Sequence, residues 1–225
     1  MRSALFFLRD KAYLRKMAAS RLQLDPQSEK QFWAGADAAS RFFMGQSDVS
    51  NAMRKLGKLL DEAKLPYAII GAMALNEFGY RRMTADVDVL LTAESLQTFK
   101  ALHLGRGYVE KFPGSRGLRD TENGVDIDVV VSGGFPGDGK PKPICFPDPV
   151  SAEQGASVRL LPLPKLVELK LASGMTAAHR LKDLADIQEL IRAAHLPREL
   201  GEQLHASVRE KYFELWDAVS QAHEE

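Results

Sequence analysis

Apolar residues recur at helical spacing in the first part of the chain and give way to short strand-like runs near residue 67. Val49, Met53, Leu56, Leu60 and Ala63 mark one face of a helix that Asp48 or Ser50 can cap. Arg54, Lys55, Lys58, Asp61 and Glu62 fall mostly on its wet side, and Pro66 ends it. Lys11 to Leu22 and Ser28 to Phe43 are helix-like but less regular, with Asp25-Pro26 between them. From Tyr67 to Ile70 runs a short apolar stretch that meets Gly71. Ala72 to Phe78 predicts a turn or two of helix that Gly79 closes. Asp86 to Leu91, Tyr108-Val109 and Val125 to Val131 read as strands, with a helix over Ser95 to Leu104 between the first two.

Gly and Pro then punctuate residues 132–149, a loop long for a compact domain. Beyond it Pro162-Leu163-Pro164 opens a helix, with Pro164 tolerated in its first turn. Leu181, Leu184, Ile187 and Ile191 mark the core side of the next helix. A last helix is expected over residues 198–220, docked by Leu204, Val208, Phe213, Leu215 and Trp216. Strands alternating with helices predict an α/β (α+β) fold: a mixed sheet flanked by helices, with helical N- and C-terminal extensions. The expected division is a helical extension over 1–64, a core over 65–160 and a helical region over 161–225.

Composition narrows the class of function. With 30 acidic and 30 basic residues, the chain has no overall charge with which to grip a long nucleic acid. The basic residues Arg9, Lys11, Arg15, Lys16 and Arg21 read as a solvated helical face. One cysteine, Cys145, rules out an intramolecular disulfide framework and reads as an apolar filler. The apolar run at the N-terminus stops at Arg9-Asp10-Lys11, too short for a signal segment, and no later run reaches the roughly 18 residues of a membrane helix. A cytoplasmic protein with no membrane association is expected.

Asp86-Val87-Asp88 carries the chemistry. Two residues apart on a strand, its carboxylates project from one face, where their repulsion calls for a cation. Mg²⁺ suits such a site, since it takes hard oxygen ligands and keeps positions open for phosphate. Asp126 and Asp128 repeat the spacing on a second strand, and either one can complete a two-metal site. Upstream, Gly71-Ala72-Met73-Ala74 lies where a strand meets a helix start, so backbone N–H groups can face a phosphate. Arg81, Arg82 and Thr84 add cationic and hydroxyl groups suited to a triphosphate. Gly137-Asp138-Gly139-Lys140 lacks the spacing of a phosphate loop. The five histidines show no ligand spacing.

Two stretches in order, Ala68-Ile69-Ile70-Gly71-Ala72-Met73-Ala74-Leu75 and Arg82-Met83-Thr84-Ala85-Asp86-Val87-Asp88-Val89-Leu90, resemble the signature of the DNA polymerase β-like nucleotidyltransferase superfamily. Leu166 to Ala172 and Arg180 to Ile187 extend the resemblance to about residues 65–192, most like the minimal bacterial nucleotidyltransferases that include abortive-infection toxins. The resemblance implies Asp86, Asp88 and Asp128 as catalytic ligands for Mg²⁺ (or Mn²⁺), with Asp126 as the alternative third acid. It further implies a nucleoside triphosphate (NTP) held by Gly71, Ala72, Arg82, Thr84 and Lys170, with Arg180, Lys182, Asp183 and Asp186 in the following helical motif. The activity implied is transfer of NMP to an acceptor hydroxyl on a small molecule, a protein or an RNA 3′ end. One departure stands out: Ala72 occupies the turn position where the family has Gly or Ser. That departure keeps a second reading open, a nucleotide-binding or partner-binding module such as a toxin–antitoxin component.

Overall fold

The computed structural model describes residues 26–221 of the 225. The predicted helix over Lys11 to Leu22 and the basic face from Arg9 to Arg21 lie outside the described residues. The chain divides into two units, Met1–Arg41 and Phe42–Glu225. Helix α1 (Pro26–Phe43) belongs to the first as far as Arg41 and carries an Asp37–Arg41 ion pair one turn apart at 3.1 Å.

The second unit is built on a mixed sheet. Helix α2 (Asp48–Glu62) buries Val49, Met53, Leu56 and Leu60 as the periodicity predicts. Its cap is Ser47, whose hydroxyl accepts from the Ser50 N–H; neither Asp48 nor Ser50 plays that part. Strand β1 (Tyr67–Ile70) leads directly into α3 (Gly71–Glu77), and β2 (Asp86–Leu91) into α4 (Ala93–His103), capped by Thr92. Strands β3 (Tyr108–Glu110), β4 (Leu118–Asp120) and β5 (Val125–Val131) form a meander. After the long loop, β6 (Glu153–Gln154) and β7 (Arg159–Leu160) form a small hairpin. The seven strands lie in the order β3-β4-β5-β2-β1-β7-β6, with β2 parallel to β5 and β1 antiparallel to β2. The expected mixed sheet flanked by helices is therefore the observed architecture.

Three short strands escape the sequence pattern. Strands β4, β6 and β7 have three, two and two residues, too few to show an alternation. Strand β4 is held by Asp120, a fully buried carboxylate that accepts from the Lys55 ammonium of α2 at 2.8 Å and the Asn123 amide at 2.7 Å. Those partners make burial of the charge tolerable.

Helices α5 (Leu163–Thr176) and α6 (Leu181–Ala194) follow, with Pro164 in the first turn of α5 as expected. Ile187 and Ile191 are buried together with Leu190, but Leu181 is exposed, because it stands at the very start of α6. The single helix expected over 198–220 is two pieces, a 3-10 segment Arg198–Gln203 and α7 (Ala206–Gln221). The chain breaks at His205 because its N–H donates to the buried Glu168 carboxylate of α5 at 2.7 Å. Cys145 is exposed, and its neighbour Ile144 fills the apolar position instead. Among the described residues no helix is long and apolar enough to cross a membrane.

Contact between α5 and α6 fixes one wall of the site described below, and Gly174 sets how close they come. A Cβ on Gly174 would meet the Leu184 Cγ at 2.6 Å and the Leu184 backbone nitrogen at 3.1 Å. Gly174→Val is expected to lose about 1–3 kcal/mol of stability from overpacking, despite leaving a helix glycine behind. Urea unfolding of the variant against the natural chain measures it; unchanged stability would contradict this packing.

Candidate active site

Register brings the acids together. In the parallel β2–β5 pair, Asp86 stands opposite Asp126 and Asp88 opposite Asp128. Alternation places all four on one face of the sheet, while Val87, Val89 and Ile127 are fully buried on the other. Neighbouring strands are about 4.8 Å apart, so like charges are forced within short range. Ile70, the antiparallel partner of Asp88, puts the next residue, Gly71, beside the same carboxylate. Gly71 has φ +65, and a Cβ there would lie 1.9 Å from an Asp88 oxygen. Conformation and space thus both demand glycine.

Asp88 feels this crowding most. Burial pushes its pKa up from 3.8 to about 6, and the charges of Asp86 and Asp128 add to the rise. Lys170 and Arg180 pull in the opposite direction without cancelling it. No described residue donates a hydrogen bond to the Asp88 carboxylate, whereas Asp86 accepts one from the Thr84 hydroxyl. The outer acids are neutralised within the protein. Asp126 pairs with Arg119 at 2.6 Å and with Lys111 at 3.2 Å, and Lys111 also reaches Asp128 at 2.9 Å. The hydrogen bond from Arg119 first, then that from Lys111, holds Asp126 below the usual carboxylate range.

A cluster of oxygen donors with unrelieved negative charge on Asp88 fits a hard divalent cation. As they stand, no group of three or more His, Cys, Asp or Glu among the described residues is gathered closely enough to hold one. Lys111 already occupies Asp128, so a cation at all three acids would exchange with that ammonium.

Opposite the acids stands a cationic wall. Lys170 on α5 is buried and donates to Asp183 at 2.8 Å and Asp186 at 2.7 Å, both on α6. Asp183 also accepts from the Ser173 hydroxyl at 2.6 Å and from Arg180 Nε at 2.9 Å. Burial raises the Asp183 pKa, but Lys170, Ser173 and Arg180 together outweigh it and the net direction is downward. Arg82 pairs with Asp186, its terminal nitrogen donating at 3.1 Å; its Nε lies 2.9 Å from the other oxygen but is not aligned for a hydrogen bond. Three cations thus surround two carboxylates, leaving one positive charge in excess. Asn76 of α3 clamps the backbone of Arg82 from both sides, accepting from its N–H at 2.7 Å and donating to its carbonyl at 3.0 Å.

These groups line one cavity of about 480 Å³. Asp86, Asp88, Asp128, Gly71, Ala72, Arg82, Thr84 and Lys170 all reach its surface, and Asp126 does not. Arg81 is exposed and contributes nothing to the lining. The long loop adds Pro136, Gly137 and Phe146 to the lining. Its base is closed by reciprocal backbone bonds between Gly133, Gly134 and Phe146, and its tip by Lys142 on the Pro136 carbonyl and Thr176 hydroxyl. Lys111, Asn76 and Ser173 were not legible as site residues. Each acts through a partner remote in sequence or a backbone group, and neither leaves a mark in spacing.

No family model matches the chain, and no curated protein does. Among solved structures it is similar to a crystal structure of ANT(2'')-Ia in complex with adenylyl-2''-tobramycin, at 15% identity and TM-score 0.43, over 76% of this chain and 95% of that one. A solution structure of the antibiotic-resistance factor ANT(2'')-Ia aligns over 79% and 96%, at 16% identity and TM-score 0.41. The crystal structure of JHP933 from Helicobacter pylori aligns over 78% and 90%, at 16% identity and TM-score 0.35.

The raised pKa of Asp88 makes a stability prediction. Its charged form is disfavoured in the folded protein, so this group costs stability above pH about 6 and nothing below its ordinary value of 3.8. With divalent ions chelated, Asp88→Asn is expected to melt higher than the natural chain at pH 8. That advantage should shrink as pH falls from 6 towards 4. A gain independent of pH, or none at pH 8, would refute the electrostatic account.

Proposed function

We propose that the chain is a Mg²⁺-dependent nucleotidyltransferase that moves NMP from an NTP to an acceptor hydroxyl and releases pyrophosphate. The observation that carries this reading is the pairing of Asp88 with Asp128 across the parallel β2–β5 register, opposite a wall of excess positive charge in the same cavity. Anions on the sheet suit a cation, and cations on the helices suit a polyanion. A metal-bound triphosphate presents both.

In this reading Asp86, Asp88 and Asp128 hold the metal, which when bound neutralises charge on the attacking and leaving oxygens. Thr84 fixes the orientation of Asp86 through its hydroxyl. Asp128, the one of these acids that a described cation, Lys111, contacts, accepts the acceptor proton. The acceptor oxygen then forms a bond to the α-phosphorus as the bond to the bridging oxygen breaks, and pyrophosphate leaves with that electron pair. Arg82 and Lys170, held by Asp186 and Asp183, face the charge that develops on the leaving group without needing to reorganise. The minimal bacterial branch that includes abortive-infection toxins is the setting the motif order favours.

A second reading has its own support. Ala72 stands in the turn and Lys111 occupies Asp128, as expected of a module that binds nucleotide or a protein partner without chemistry. One assay separates the two: release of pyrophosphate from each of the four common NTPs with Mg²⁺, across small-molecule, protein and RNA acceptors. Turnover in the natural chain that falls by about 10²–10³-fold or more in Asp88→Asn, with the fold intact by circular dichroism, is expected for the enzyme. Nucleotide binding with no release would favour the module, and turnover retained in Asp88→Asn would sink the assignment of the acids.

A further inference from the structure

Resting on the nucleotidyltransferase reading, we propose that Arg180 is the clamp for the β- and γ-phosphates, a binding residue that makes the site select triphosphate and pyrophosphate over monophosphate. The guanidinium is held by one nitrogen only. Arg180 Nε donates to the Asp183 carboxylate at 2.9 Å and to the Ser173 hydroxyl at 3.2 Å. Its two terminal nitrogens have no hydrogen-bond partner among the described residues, the side chain is half exposed, and the residue lines the cavity. The planar fork is therefore fixed at its root and open at its tip, which is the form in which arginine binds phosphate oxygens bidentately.

The other cations of the wall are differently placed. Lys170 is buried and gives two of its three N–H groups to Asp183 and Asp186, and Arg82 engages Asp186 and the Met83 carbonyl. Lys182 is exposed, lines the cavity and has no ion pair among the described residues. Arg180 alone among these four combines a fixed root with two open terminal nitrogens in one planar fork. It is also within electrostatic reach of Asp88, where its charge offsets part of the crowding of acids. Ser173 and Asp183 are positioning residues for it: the hydroxyl donates to the carboxylate, and both accept from the same Nε.

Calorimetry with magnesium pyrophosphate tests this, because pyrophosphate carries the clamped groups without a base. Arg180→Met is expected to weaken binding tenfold or more, Arg180→Lys to recover part of it, and Lys182→Met to change it less than twofold. Arg180→Met should leave the melting temperature near that of the natural chain, since Asp183 keeps Lys170 and Ser173. Pyrophosphate binding unchanged in Arg180→Met, or NTP binding by the natural chain with no affinity for pyrophosphate, overturns the clamp and leaves the nucleotidyltransferase reading standing. A natural chain that binds neither pyrophosphate nor any of the four NTPs overturns both.

Discussion

Like charges held side by side on neighbouring strands are the constraint to which the rest of the molecule answers. The parallel register of β2 and β5 sets Asp86 beside Asp126 and Asp88 beside Asp128 on one face of the sheet. Left alone, that arrangement would favour slipping the register, since a shift of one residue would turn the acids to the other face. Two features oppose the slip. Val87, Val89 and Ile127 are fully buried on the opposite face, so a slip would drive carboxylates into the core. Lys111 and Arg119 meanwhile neutralise the outer acids from the β3–β4 hairpin. Asp88 is left with neither an ion pair nor a hydrogen bond among the described residues, and Lys170 and Arg180 offset its crowding only in part.

Lys111 can reach across because Gly117 stands in its way with no side chain. A Cβ at Gly117 would lie 2.8 Å from the Lys111 Cδ. The Lys111 N–H also donates to the Gly117 carbonyl at 3.1 Å, so the hairpin itself carries the lysine over β5. The hairpin is anchored in turn by the Lys100 ammonium on Glu110 and by Asp120 on Lys55 of α2. Electrostatic balance on the acidic face therefore depends on an element whose strands have only three residues each.

This division explains what could be read from the sequence. Asp86 and Asp88 are legible because period-two spacing within one strand is a local property. Asp126 and Asp128 share a face two residues apart, and of the two only Asp128 lines the cavity. Strands β4, β6 and β7 were silent, being too short for a pattern. The split of the last helix was silent for another reason. Residues 198–220 keep a plausible helical face, and the break at His205 is dictated by a hydrogen bond to Glu168, 37 positions earlier. Long-range polar contacts override local periodicity wherever a buried carboxylate needs a donor.

At Gly71 and Ala72 the structure supplies a physical reason for the turn other than phosphate binding. A glycine between a strand and a helix invites a phosphate-holding turn, and on that view Ala72 is a defect. Yet helix α3 is only seven residues long, and Gly71 is required first because any side chain would collide with Asp88. Ala72 is buried, and its methyl brings no hydroxyl that would need a hydrogen-bond partner there. The excess positive charge lies elsewhere, on the α5–α6 wall, where Asp183 and Asp186 hold three cations in place. If phosphate is held by that wall, the change from Gly or Ser to Ala at position 72 removes little of the grip. The turn then serves mainly to make room for a carboxylate.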